Sequence, residues 1–310
     1  MQAEPIRIGT RGSALALAQA NEVKRRLAAT GRIAAEAIEI HVIRTSGDRI
    51  QDRPLAEVGG KGLFTKEIED ALGAGAIDLA VHSMKDMPTA LPDGLVIAAL
   101  LEREDVRDAF LSPRAARLHD LPPGAVVGTS SLRRQAQVKR LRPDLEVVSY
   151  RGNVDTRLRK LAEGAVDATL LALAGLNRLG LTSHVTAVIE TSDMLPAVAQ
   201  GAIGIEIRED DDRTRALVSL LDHAPTAIAV SAERAFLARL DGSCRTPIAG
   251  LATLGADGLK LSGMLLAPDG SATYEGSLTG TPADGPRLGR TLAEDLLGQA
   301  GPAFRALISS

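Results

Sequence analysis

The sequence contains one cysteine, no tryptophan, two tyrosines and four phenylalanines in 310 residues. A single cysteine excludes a disulfide framework and any zinc or iron–sulfur site with several cysteine ligands. So few aromatic residues argue against base-stacking nucleic-acid binders, which need aromatic platforms. No stretch approaches the roughly 20 apolar residues of a membrane span, and residues 1–7 contain no apolar signal core. We therefore predict a cytoplasmic protein that binds neither membranes nor nucleic acids.

The length and composition predict a folded chain with more than one domain. At 310 residues the chain exceeds what one hydrophobic core usually organises, so two or three domains are expected. Hydrophobic residues make up 45% of the sequence, which is enough for packed cores and excludes a disordered chain.

Basic residues are concentrated in one region, although the whole chain has a formal net charge of −3. Residues 128–160 contain nine basic and only three acidic side chains, and seven of the nine are arginines. A positive region on a mildly acidic protein indicates an anionic ligand. The alternative is a solvated helix face stabilised by pairs of opposite charge one turn apart.

The hydrophobic pattern predicts two α/β units followed by a smaller α+β unit. Strands are predicted at 6–8, 38–43, 77–81, 95–101, 126–127, 146–149, 168–172 and 195–207, and helices at 14–29, 66–74, 132–141 and 156–163. Alternating strands and helices favour largely parallel sheets, and the two units are predicted to meet near residues 101–108. Beyond residue 212 the pattern changes to a helix at 230–240, alternating antiparallel strands at 248–254, 259–266 and 273–278, and a helix at 291–297.

Hydroxyl and cationic side chains follow nearly every predicted strand. They are Thr10, Arg11, Ser13, Thr45, Ser46, Ser83, Lys85, Thr129, Ser130, Ser131, Arg133, Arg134 and Arg151. In doubly wound sheets, ligands bind outside the carboxyl ends of the strands. Helix N-termini and arginines bind carboxylates well, so the set predicts sockets for a ligand with several carboxylates. Any single hydroxyl among them is better explained as a helix cap.

Three further features allow two interpretations each. Asp86 is an acid among basic strand ends; it could stabilise a developing cation or move a proton, or it could pair structurally with Lys85 or a nearby arginine. Cys244 could be a small buried hydrophobe, or a loop thiolate favoured by Arg245. The glycine-rich loop 59–62 could be a mobile loop that brings Lys61 to an anionic ligand, or an ordinary flexible loop; it does not match the phosphate-loop pattern.

Six blocks of the sequence, taken in order, resemble the porphobilinogen deaminase (hydroxymethylbilane synthase) family. The resemblance runs from Ile6 to about Gly250. Its motifs are Thr10-Arg11-Gly12-Ser13, Gly60-Lys61-Gly62-Leu63-Phe64, His82-Ser83-Met84-Lys85-Asp86-Met87-Pro88, Gly128-Thr129-Ser130-Ser131-Leu132-Arg133-Arg134-Gln135, Arg151-Gly152-Asn153-Val154, and Ala232-Glu233-Arg234-Ala235-Phe236 leading to Cys244.

The resemblance implies a fold and a reaction. The fold would be two doubly wound α/β domains of periplasmic-binding-protein-like type, made of residues 1–102 with 197–219 and of residues 103–196. A small C-terminal α+β domain, 220–310, would carry the cysteine loop. The reaction would join four porphobilinogen molecules head to tail with loss of ammonia, on a covalently bound dipyrromethane cofactor, to give a linear tetrapyrrole. The enzyme would be a monomer whose product passes to a tetrapyrrole-cyclising enzyme.

The resemblance also implies roles for individual residues. Asp86 would be the catalytic residue and Cys244 the attachment point of the cofactor through a thioether. The cofactor carboxylates would be held by Ser83, Lys85, Thr129, Ser130, Ser131, Arg133 and Arg134. Substrate would be bound by Arg11, Ser13, Gln19, Arg151, Arg157 and Arg178. Lys61 and Phe64 would belong to a mobile lid over the site.

The sequence departs from the family pattern at a few positions. Ala199 stands where a glycine is usual before Gln200-Gly201, and Ser243 replaces a glycine beside Cys244. If the glycine beside the cysteine is needed for positive φ, Ser243 would impose strain or the loop geometry would differ. None of the departures removes a chemical group that the family reaction needs.

Two other function classes remain open at this stage. A two-lobed solute-binding protein suits the pair of α/β units equally well, but it would explain the arginines and not Asp86 or Cys244. An enzyme with a phosphate-bearing ligand is the third interpretation; it would bind no dipyrrole.

Overall fold

The structure is a computed structural model that describes residues 4–49, 62, 64–240 and 247–309. These residues divide into two compact units. The first comprises 4–49, 62, 64–104 and 201–227, and the second comprises 105–200, 228–240 and 247–309. The boundaries of the three domains given above stay a prediction.

The strands, in chain order, are β1 Ile6–Thr10, β2 Ile38–Val42, β3 Leu79–Ser83, β4 Leu95–Leu100, β5 Asp108–Leu111, β6 Val126–Gly128, β7 Glu146–Val148, β8 Ala168–Ala172, β9 Ala187–Ile189, β10 Ile203–Arg208, β11 Ile248–Gly255, β12 Gly258–Leu266 and β13 Thr273–Gly280. The helices are α1 Ala14–Ala29, α2 Ser46–Arg49, α3 Lys66–Gly73, α4 Leu132–Leu141, α5 Val154–Ala162, α6 Leu173–Leu179, α7 Asp212–Val218, α8 Ala224–Arg239 and α9 Gly285–Ser309. Within the described ranges, no helix is sufficiently long and apolar to cross a bilayer.

The first unit is built on a sheet with the strand order β2-β1-β3-β10-β4. Strand β1 runs parallel to β2 and β3, whereas β10 runs antiparallel to β3 and β4. One face of the sheet packs against α1, where Val23 and Leu27 are fully buried beside Ile205. The other face packs against α3 through Ile68 and a second cluster of buried side chains. Apolar residues therefore cover both faces, which leaves the strand ends for polar groups.

The second unit contains a sheet with an equivalent order, β7-β6-β8-β5-β9. Strand β6 runs parallel to β7 and β8, and β5 runs antiparallel to β8 and β9. Both sheets are thus largely parallel, as predicted, and each contains one internal antiparallel strand. Strands β5 and β9 were not predicted from the sequence.

The same unit contains the predicted α+β part. Strands β11, β12 and β13 form an antiparallel sheet, and the buried ring of Phe236 on α8 packs against it. A Cβ atom at Gly263 would lie 2.6 Å from this ring, so the close packing requires glycine there. Helix α9 is divided at Gly301, which has φ 73°, and Pro302 follows.

The predicted strand at 195–207 is only partly correct, because strand β10 begins at Ile203. Pro196 has no N–H group for a sheet ladder, and Ala199 has φ 59°, outside the β region. Ala199 is the one non-glycine residue with positive φ in the described ranges. Its N–H donates to Glu233 Oε2 at 2.6 Å, and the second oxygen of Glu233 accepts from the Ala252 N–H at 2.8 Å. The buried carboxylate therefore holds Ala199 in a strained conformation, which explains why glycine suits this position.

We expect Ala199→Gly to raise the free energy of unfolding by about 0.5–1 kcal/mol, because the left-handed strain removed exceeds the added entropy of the unfolded chain. Chemical denaturation at neutral pH measures this change. Ala232→Gly, inside α8, is the matched control and should lower the stability by about 1 kcal/mol. Equal losses in both variants would contradict the strain argument.

Candidate active site

A pocket of the first unit collects residues from the carboxyl ends of β1 and β3. Its lining includes Arg11, Ser13, Gln19, Phe64, Ser83 and Asp86. Arg11 and Ser13 follow β1, and Ser83 ends β3. All six residues were singled out from the sequence. Because β1 and β3 are neighbours in the sheet, residues up to 75 positions apart meet at this edge. The pocket offers a cation, hydroxyl and amide donors, and one carboxylate.

Asp86 ends a single 3-10 turn, Met84–Asp86, that continues directly from β3. Its side chain is exposed and lines the pocket. The Met84 side chain of the same turn is buried, so the turn is anchored on one side and presents Asp86 on the other. Lys85 lies between them and is half-buried. A carboxylate on a rigid turn can stabilise a neighbouring cation or exchange a proton with it.

Two side-chain contacts organise the rest of this pocket. Gln19 on α1 is buried, and its Nε2 donates to Ser83 Oγ at 2.8 Å. The Arg11 guanidinium lies 4.2 Å from the centroid of the Phe64 ring, a cation–π contact. The in-plane N–H groups of a guanidinium match the geometry of a carboxylate. Ser13 caps α1 by accepting the Ala16 N–H at 3.3 Å.

Sequence reasoning missed a buried polar cluster beneath this pocket. His82 Nε2 lies 2.9 Å from Glu206 Oε2, and the side chains are only 5% and 0% exposed. Glu69 of α3 is buried nearby, and burial raises the pKa of its carboxyl; hydrogen bonding by Thr65 opposes that rise and the charge of Glu206 adds to it. The sequence contains one sign of this buried cluster: Glu206 is the only charged residue in the apolar run 203–207.

In the second unit, the three hydroxyls that precede α4 all accept backbone N–H groups. Ser131 caps the helix by accepting the Arg134 N–H at 3.4 Å. Thr129 accepts the Ser131 N–H at 3.2 Å, and Ser130 accepts the Tyr150 N–H at 3.1 Å. The capping interpretation therefore holds for Ser131 only. The role of the three hydroxyls toward a cofactor stays a prediction.

Arg133 and Arg134 lie in the interior of the second unit beside Asp108. Arg133 Nη2 donates to one carboxylate oxygen at 2.7 Å, and Arg134 Nη2 donates to the other at 2.8 Å. Backbone carbonyls of Leu195 and Leu170 accept further N–H groups of Arg133 and Arg134, respectively. Burial alone would raise the pKa of Asp108, but the two guanidinium charges hold it well below its ordinary value. Asp108 was missed because no local pattern connects it with residues 25 positions away.

The remaining predicted arginines lie on separate elements of the second unit. Arg151 and Arg157 are half-buried, near the start of α5, and Arg157 Nε donates to the Gly152 carbonyl at 2.9 Å. Gly152 has φ 131°, and a Cβ atom there would lie 2.7 Å from Thr156, so the tight turn needs glycine. Arg178 is half-buried on α6. Cys244 and Lys61 lie outside the described residues.

Two family models match most of the chain. A model described as "Porphobilinogen deaminase, dipyromethane cofactor binding domain" matches residues 6–216, and "Porphobilinogen deaminase, C-terminal domain" matches 227–298. The porphobilinogen deaminase of Nitrobacter hamburgensis is 61% identical over 302 residues, which cover 97% of this chain and 96% of that protein. The porphobilinogen deaminase of Paracoccus denitrificans is 59% identical over 300 residues, with the same coverages.

Among solved structures, a nutrient-binding protein from Burkholderia cenocepacia bound to methionine aligns with a TM-score of 0.44 and 15% identity. The alignment covers 69% of this chain and 89% of that one.

The second unit has the donors that an acidic cofactor needs. Two guanidinium groups share one carboxylate at Asp108, so this buried cluster keeps an excess positive charge. Arg133 Nε is buried and finds no hydrogen-bond partner among the described residues. An excess cation and an unsatisfied donor both suit a ligand carboxylate. The residues present therefore fit the dipyrromethane cofactor.

We expect Asp108→Asn to lower the free energy of unfolding at pH 7 by about 3–5 kcal/mol, because two guanidinium groups would lose their counter-charge in the interior. The pKa of Asp108 is depressed in the folded state, so its contribution is present above the unfolded-state pKa and is lost as pH falls. The difference between wild type and variant should therefore shrink in acid. Urea denaturation across pH measures both effects.

The matched control is Asp120→Asn, which removes an exposed pair with Arg117. Exposed pairs contribute little, so this variant should remain close to wild type at every pH. A stable Asp108→Asn protein would show that the guanidinium groups do not need the carboxylate.

Proposed function

The chain belongs to the porphobilinogen deaminase family, and from that premise we propose which of its residues carry out the family reaction. The reaction is the stepwise head-to-tail condensation of four porphobilinogen molecules, with loss of ammonia, to give the linear tetrapyrrole hydroxymethylbilane. The enzyme is a transferase of tetrapyrrole biosynthesis that uses a dipyrromethane cofactor. Family membership removes the two alternatives, a solute-binding protein and a phosphate-ligand enzyme.

Asp86 is the proposed catalytic residue. The supporting observation is that its exposed carboxylate shares one pocket with Arg11, Ser13 and Gln19. Loss of ammonia from the aminomethyl group of porphobilinogen leaves a cation that is conjugated with the pyrrole ring. A fixed carboxylate beside that carbon stabilises the cation, and it can accept the proton that the attacking pyrrole carbon loses on bond formation.

Arginines of both units are the proposed ligands of the substrate carboxylates. Each porphobilinogen carries an acetate and a propionate, so every condensation adds two negative charges to the bound chain. Arg11, Arg151, Arg157 and Arg178 are assigned to these groups, with Ser13 and Gln19 as additional partners of the substrate. The in-plane donors of a guanidinium match a carboxylate in a two-point fashion, which fixes orientation as well as position.

The cofactor, when bound, supplies a covalently held acceptor pyrrole to which the first substrate is added. Cys244 is the proposed attachment residue. Ser83, Lys85, Thr129, Ser130, Ser131, Arg133 and Arg134 are assigned to the cofactor carboxylates. The excess charge beside Asp108 and the unsatisfied Nε of Arg133 support this assignment. Lys61 and Phe64 are assigned to a lid. The contact of Phe64 with Arg11 supports the assignment of Phe64.

We extend the proposal to organisation and location. The C-terminal domain 220–310 would carry the loop that contains Cys244, and the two α/β domains would be 1–102 with 197–219 and 103–196. The enzyme would act as a cytoplasmic monomer that binds neither membranes nor nucleic acids. Hydroxymethylbilane would then be taken over by an enzyme that closes the tetrapyrrole ring.

We expect the intact mass of the purified protein to exceed the sequence mass by one dipyrrole unit, and Cys244→Ser to lack this increment. A thioether needs the sulfur atom, so no other residue can replace it. Mass spectrometry of the denatured proteins makes the comparison, and Ser243→Ala, one position away, should retain the adduct. An active enzyme with unmodified Cys244 would refute the attachment.

We expect Asp86→Asn to lower turnover by a factor of about 100 or more while the dipyrrole adduct and the melting temperature persist, because the amide neither balances the cation nor accepts the proton. Porphyrin formed from porphobilinogen reports turnover. Asp93→Asn, an exposed aspartate of the same unit, is the control and should behave as wild type. Near-normal turnover of Asp86→Asn would remove this residue from the mechanism.

A further inference from the structure

Strand β10 and the residue before it hold the segment His82–Asp86 by contacts from alternate positions. The Met84 N–H donates to the Ala202 carbonyl at 3.0 Å. At Gly204, a Cβ atom would lie 2.1 Å from Met84 Sδ, so the glycine makes room for the Met84 side chain. Glu206 Oε2 lies 2.9 Å from His82 Nε2. The turn that presents Asp86 is therefore seated on one neighbouring strand.

Stability alone does not explain the buried pair of His82 and Glu206. The alternate residues Ile203, Ile205 and Ile207 of β10 are all fully buried in the main apolar core of the unit. Burying a charged or polar pair contributes no more to stability than apolar side chains of similar size. One oxygen of Glu206 also lacks a hydrogen-bond partner among the described residues, which adds a cost. A costly pair next to a pocket calls for a different explanation.

His82 of the pair lies on the strand that continues into the Asp86 turn, whereas Arg11, one of the groups assigned to substrate binding, follows a different strand. His82 lies on β3 and lines the pocket four residues before Asp86. Arg11, by contrast, follows β1 and contacts Phe64. A change at Glu206 reaches Asp86 through β3 and the turn, whereas it leaves the arginine on a different strand. The expected effect is therefore on the chemical step rather than on substrate capture.

We propose that Glu206 and His82 are positioning residues of the condensation: their hydrogen bond fixes the end of β3 so that the 3-10 turn holds Asp86 at the reacting carbon. The inference rests on the proposed role of Asp86. The charged and titratable groups around the pair are Glu69 from α3 on one side, and Arg11 and Asp86 across the pocket. Of these, only Asp86 is continuous with the turn.

The test compares two variants of one position. Glu206→Leu keeps the approximate size but removes the acceptor, whereas Glu206→Gln keeps an acceptor oxygen for His82. Misplacing a catalytic group by about 1 Å costs up to about 100-fold, so we expect kcat of Glu206→Leu to fall by about 10- to 100-fold with KM within about twofold of wild type. Glu206→Gln should recover most of the loss. Intact mass confirms that each protein carries the dipyrrole.

Asp78→Asn is the matched control, because Asp78 precedes the start of β3, at the opposite end of the strand from the turn, and forms a pair with Arg7 at 2.7 Å. It should lower the melting temperature and leave kcat unchanged. If Glu206→Leu does not fold, Gly204→Ala provides the second variant: its methyl group displaces Met84 and should lower kcat with unchanged KM.

Three results would overturn the inference: wild-type kcat in the folded Glu206→Leu or Gly204→Ala protein, a raised KM at unchanged kcat, or an equal loss of kcat in Asp78→Asn. These results can be told apart from a failure of the proposed function. If the proposed role of Asp86 is wrong, Asp86→Asn remains active. If only the positioning role is wrong, Asp86→Asn is inactive and the His82–Glu206 pair is dispensable.

Discussion

The placement of two guanidinium groups side by side in the interior is the constraint on which the second unit depends. Like charges repel strongly where water is excluded. Asp108 offsets this repulsion between Arg133 and Arg134, because one carboxylate accepts from both side chains. The cluster keeps an excess positive charge without the cost of two uncompensated cations, and it is therefore stable before any ligand binds.

The two sheets share one strand arrangement and one position for a buried carboxylate. Each has three parallel strands followed by an internal antiparallel strand, β10 in the first and β5 in the second. Each of these antiparallel strands carries a buried carboxylate, Glu206 or Asp108, that is bonded to a basic side chain of the same unit. The equivalent topology therefore places both acids on the strand that runs antiparallel to its two neighbours.

Local patterns accounted for much of the fold. The predicted helices 14–29 and 132–141 and the strand 168–172 are confirmed to the residue. Their signals are local: a capping serine precedes each helix, and the strand is an unbroken buried run. The errors fall where such signals are weak. Strands β5 and β9 were not predicted, and the segment 195–202 is apolar but contains Pro196 and the left-handed Ala199.

The sequence by itself determined the family, the α/β pattern and the residues of the first pocket, because motifs and strand ends are contiguous in the chain. Only the tertiary structure determined which buried carboxylate pairs with which basic side chain. Glu206 lies 124 positions from His82, and Asp108 lies 25 from Arg133. Strand order and sheet register bring these residues together. A buried charge interacts with the group that lies nearest to it in space, whatever their separation in the sequence. No local period or motif encodes such a distance, so these pairs became visible only once the sheets were assembled.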